Sequence, residues 1–82
     1  MIKEIKIAAR LYEIRDTAKR FFKEEFKSKL EPYTALILVH MKKSGKDELC
    51  AAMDLLQLES VQGNGMAQML FIAAVVEMIE PS

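Results

Sequence analysis

The stretch that most resembles a ligand loop is VQGNGMAQML, residues 61–70, where two glycines bracket an asparagine just before an apolar run. A glycine turn at the start of a helix leaves backbone N–H groups unpaired at a positive dipole end. Such a site can take phosphate or carboxylate. By that reading Gly63, Asn64 and Gly65 would hold an anion. The pattern has no third glycine for a dinucleotide fingerprint and no Gly-Lys-Ser/Thr for a phosphate loop. The segment before it also reads as a helix, where both motifs need a strand. The stronger reading is a cap and turn: Gly63 ends one helix in the left-handed conformation and Asn64 caps the next.

Basic residues offer a second kind of chemistry. Arg15, Lys19, Lys23 and Lys27 step by four along a helical pattern and form a ridge beside its apolar stripe, with Tyr12 at the boundary. Such a ridge could hold a small anion such as a nucleotide, an acidic protein surface or a nucleic-acid backbone. It could equally be a solvated face, since Glu13, Asp16, Glu24 and Glu25 lie among the bases. Sequence-specific DNA binding fits poorly. A recognition helix over 46–60 would carry Lys46 as its only base against four acids. Glu77 and Glu80 fall in the last turn of the final helix, where negative charge opposes the macrodipole. They are expected to meet a base of the first helix, within the chain or across a dimer.

Nucleophilic and metal chemistry find little support. The chain has one histidine, His40, and one cysteine, Cys50, too few to build a common zinc site from those types. A Cys50–His40 pair lacks a recognisable orienting group or oxyanion motif. Both residues sit in apolar helical patterns and read as packed side chains. The expectation is no enzyme activity, no metal and no cofactor.

The elements that must position these residues are all helical. Residues 2–30 read as one long helix, with Ile7, Leu11, Ile14, Ala18, Phe21/Phe22, Phe26 and Leu30 on its apolar side. Glu31-Pro32 is expected to end it, because the residue before proline avoids the helical region. Residues 33–41, YTALILVHM, suit a strand by composition. A helix is favoured by Pro32 at its start, Lys42 and Lys43 at its end, Gly45 as its cap and the absence of a strand partner. A third helix is expected over 46–60 and a fourth over 65–79. The last is apolar almost all round, so it must be buried on most sides, either centrally or in an interface. Met66, Met69, Leu70, Ala73 and Val76 are its candidate interface residues. The fold expected is a small all-α, four-helix bundle-like single domain over 1–82.

Composition bounds the function. Of 82 residues, 51% are hydrophobic, a large share for a domain that buries little of its surface. Residues 1–46 hold all twelve bases and six acids, a net +6, while residues 47–82 hold six acids and no base, a net −6. This split suits two halves lying against each other. A single cysteine, an N-terminus without a signal-like apolar core and no long apolar span point to a cytoplasmic chain without a membrane segment. In general character the chain resembles small bacterial or phage regulators that act by binding. The surplus apolar content and the nearly all-round apolar last helix point to a homo-oligomer that binds and modulates a protein partner, as an inhibitor or adaptor would. The alternatives are a binder of a small anionic ligand and, third, nonspecific nucleic-acid binding.

Overall fold

A computed structural model describes the backbone of residues 2–81 and the side chains of residues 9–81; the expected core role of Ile7 lies outside the latter. The described residues form α1 (Ile2–Phe22), a 3-10 turn (Lys23–Glu25), α2 (Phe26–Ser44), α3 (Glu48–Leu56), the single turn α4 (Glu59–Gln62) and α5 (Gly65–Ile79). No strand occurs among them.

α5 is the axis of the molecule, and each of the other four helices packs against it. Its run of small and branched side chains explains why. Ala67, Leu70, Phe71, Ala73, Ala74, Val75 and Val76 are all buried, and the alanines let neighbouring helices approach on several sides. Burial that could have required an interface is therefore supplied within one chain. Leu70, Ala73 and Val76 belong to this internal core and present no free surface, whereas Met66 is exposed and Met69 half-buried. α1 runs antiparallel to α5: Tyr12 meets Glu80, Arg15 meets Glu77, and Phe21 lies beside Met66.

The long first helix is corrected by the structure. The chain breaks at Lys23, not at Glu31-Pro32, and α2 runs on through Pro32. Lys23 has φ +55°, left-handed for a residue other than glycine, at a cost of about 1–2 kcal/mol. The gain is that α2 folds back onto α5. Phe26, Leu30, Tyr33, Ile37 and Met41 then form one stripe, with Tyr33 edge-on to Phe71 at 4.8 Å between ring centroids. A straight helix would forfeit that burial. Pro32 is tolerated because its side of α2 is exposed, so the Ser28 carbonyl that lacks a donor faces water. Gly45 caps α2 at φ +73°, with its N–H donated to the Met41 carbonyl, as its position suggested.

The third helix is also shorter than expected. α3 stops at Leu56, Leu58 turns extended at φ −62° and ψ 137°, and α4 follows as a separate turn. The break brings Val61 into the core. Gln68 of α5 fastens it, its side-chain amide donating to the carbonyls of Val61 at 3.0 Å and Gln62 at 2.7 Å. Gly63 is not left-handed, since its φ is −89°. Asn64 does cap α5: its side-chain oxygen accepts from the Ala67 N–H at 3.1 Å.

Candidate functional site

The basic ridge does not survive folding as a unit. Arg15 is committed to structure: its Nη1 donates to Glu77 Oε2 at 2.7 Å and its Nε donates to Asp16 Oδ1 at 2.7 Å. The Arg15 and Glu77 side chains are only 12% and 16% exposed. The hydrogen bond to Glu77 holds the guanidinium above its ordinary pKa, and Asp16 adds to this. Tyr12 donates to a Glu80 carboxylate oxygen, which pushes the phenol above its ordinary pKa, and the Arg15 guanidinium lies 5.6 Å from the Tyr12 ring centroid. Glu77 and Glu80 thus meet α1 within the chain. Lys19 remains on α1, Lys23 occupies the corner and Lys27 lies on α2, so the spacing by four no longer makes one face.

Nor does the fold bring this cluster to the glycine turn. Arg15 sits at the C-terminal end of α5 and Gly63–Gly65 at its N-terminal end, about 18 Å apart along the axis at 1.5 Å per residue. The Gly63 and Asn64 N–H groups donate to the Glu59 and Val61 carbonyls, and the Asn64 side chain accepts the Ala67 N–H. Arg15 and the glycine turn therefore do not form one anion site.

His40 is half-buried, but Cys50, expected among the packed side chains, is exposed, because α3 turns its Ala51–Ala52 face to the core. His40 Nε2 lies 2.9 Å from Asp54 Oδ2, and Lys46 Nζ donates to the same oxygen at 2.6 Å, so Asp54 ties α2, the turn and α3 together. Lys46, first, and His40 hold the Asp54 carboxyl below its ordinary range. Asp47 caps α3 by accepting the Cys50 N–H at 2.9 Å, and that bond lowers the Asp47 carboxyl. Asp47 in turn raises the exposed Cys50 thiol, the opposite of what an activated nucleophile needs. No hydrogen bond joins Cys50 to His40, and no group of three His, Cys, Asp or Glu is placed to hold a metal among the described residues. No helix among them is long and apolar enough to cross a membrane.

What the fold leaves open is a groove along the α1–α5 seam. Ile14, Met69 and Ile72 form its apolar part, with Arg10, Glu13, Thr17, Gly65 and Gln68 around them, and its volume is about 400 Å³. A second depression of about 290 Å³ continues it past Thr17, Gly65 and Met69 to Phe21 and Met66. Arg10, Ile14, Thr17 and Phe21 follow one line of α1 at helical spacing, so the two depressions share a wall. Phe21 is 65% exposed and Met66 45%, although both are large and apolar. Arg10 and Glu13 have no ion-pair partner among the described residues. Met66 and Met69 were legible as candidates. The α1 wall was missed because its apolar positions were assigned to the core; Thr17 and Arg10 within the Ile14–Phe21 line were the available signal.

No protein-family model matches the chain, and neither does any curated protein or solved structure.

Proposed function

We propose that the chain is a non-enzymatic interaction protein that acts as a homo-oligomer and takes an amphipathic helix of a partner protein into the α1–α5 groove. The observation that carries the reading is the groove itself, with Phe21 and Met66 at one end and Arg10 and Glu13 at the other. A helix with apolar side chains at i, i+4 and i+7 matches such a slot. An acid and a base near one end of that helix would complement Arg10 and Glu13. Exposed apolar surface supports association as well: Phe21, Leu38, Val39 and Met66 all lie open to water.

Thr17 is exposed and borders both parts of the groove, so Thr17→Arg fills the slot without touching the core. In capture from a host lysate, the wild type is expected to retain a defined protein that Thr17→Arg loses, with the melting temperature of the two unchanged. Equal capture by both would remove the groove from the proposal.

A further inference from the structure

We propose that the chain forms a domain-swapped homodimer, in which the corner at Lys23 straightens and α1 packs on the α5 of a second copy. The corner rests on one residue. Lys23, at φ +55°, is the single non-glycine residue with positive φ among those described, while Phe22, Glu25 and Phe26 around it keep right-handed helical angles. Nothing in FFKEEF favours a turn: it has no glycine, proline or asparagine, and its composition suits an uninterrupted helix. None of Lys23, Glu24 and Glu25 is buried, so no packing holds the corner itself. Strained short hinges of this kind favour exchange between copies.

The contacts that hold α1 are of the kind that exchange preserves. Its strongest anchors, Arg15 on Glu77 and Tyr12 on Glu80, join segments on opposite sides of the hinge. Each reforms unchanged when α1 comes from a second chain. Straightening gives up local contacts at the corner, such as Lys29 Nζ 6.0 Å from the Phe22 ring centroid. It relieves the Lys23 conformation in both chains. The product carries a continuous helix from residue 2 to residue 44, about 64 Å long, against 32 Å for the longest extent of the closed chain. Swapping supplies a route to the homo-oligomer proposed above and fails separately from it. A dimer held by the groove survives relief of the hinge.

The test uses the ion pair as a reporter. Arg15→Glu and Glu77→Arg each place like charges together, in every state of either variant alone. Only a swapped heterodimer pairs the native Arg15 of one chain with the native Glu77 of the other, and the two replaced residues likewise. The two variants are unfolded, mixed and refolded together at high micromolar concentration. The mixture is expected to yield a dimer that melts well above either variant refolded alone, even if neither folds by itself. Arg15→Glu combined with Glu77→Arg in one chain shows that the reversed pair is tolerated. Independently, Lys23→Gly accommodates the left-handed corner, and should weaken dimerisation roughly tenfold or more in sedimentation. A mixture that melts as the sum of its components, or a Lys23→Gly variant that associates as tightly as wild type, overturns the proposal.

Discussion

Arg15 and Glu77 face each other at 2.7 Å with most of each side chain covered, and this pair carries more weight than any surface charge in the molecule. Covered charges are costly when unpaired, so loss of one partner exceeds the small effect of an exposed ion pair. Glu77→Lys should reduce stability by about 1–3 kcal/mol. For a domain of this size that lowers the melting temperature by roughly 4–24 °C, and an unchanged value would show that the pair does not hold α1 to α5. The spacing of Glu77 and Glu80 in a helix end where acids are unfavourable made a contact with α1 readable, although Arg15 as the base of Glu77 and Tyr12 as the donor to Glu80 were not. Cys50 belongs to the same scale. Its thiol is exposed but raised by Asp47, so alkylation at neutral pH should be slow for so accessible a group. Asp47→Asn keeps a capping side chain and removes the charge, and should speed the reaction severalfold. Equal rates in the two proteins would contradict the assigned cause.

Helices were legible where a short-range signal marked them and misread where tertiary packing decided. Asn64 and Gly45 are caps whose chemistry is local, and both act where the residues indicated. Asn64→Ala should cost about 1 kcal/mol, seen as a fall of about 4–8 °C in melting temperature; no fall would mean that α5 starts without its cap. Lys23 and Leu58 carry no breaker signal. Each yields because the segment beyond it, the Phe26–Met41 stripe or Val61, gains burial on α5. Pro32 gave a false stop because its lost hydrogen bond faces water, so a propensity was overridden by a continuous apolar stripe. The same override moved the candidate site. A ridge of Arg15, Lys19, Lys23 and Lys27 requires one straight helix, and the corner at Lys23 removes it.

Across the whole molecule, the basic half and the acidic half meet at two seams, Tyr12 and Arg15 with Glu80 and Glu77, and His40 and Lys46 with Asp54. These seams and the Asp47 cap of α3 shape the pH range of stability. Asp47 and Asp54 lie below their ordinary value of 3.8, so their contribution is complete above that value and is lost as pH falls through the lowered folded-state pKa. Tyr12 lies above its ordinary value of 10.0, so its contribution is complete below that and is lost as pH rises through the raised one. Thermal melts should therefore show a broad neutral plateau with an acid and an alkaline limb. Replacing Asp47 and Asp54 by asparagine should flatten the acid limb, and an unaltered limb would assign it to other carboxylates. Beyond these seams, the chain is proposed to associate with a second copy of itself. Sedimentation of the purified protein across low to high micromolar concentration tests that claim most directly. A species of twice the chain mass is the predicted result. A folded protein of single-chain mass at every concentration would contradict it.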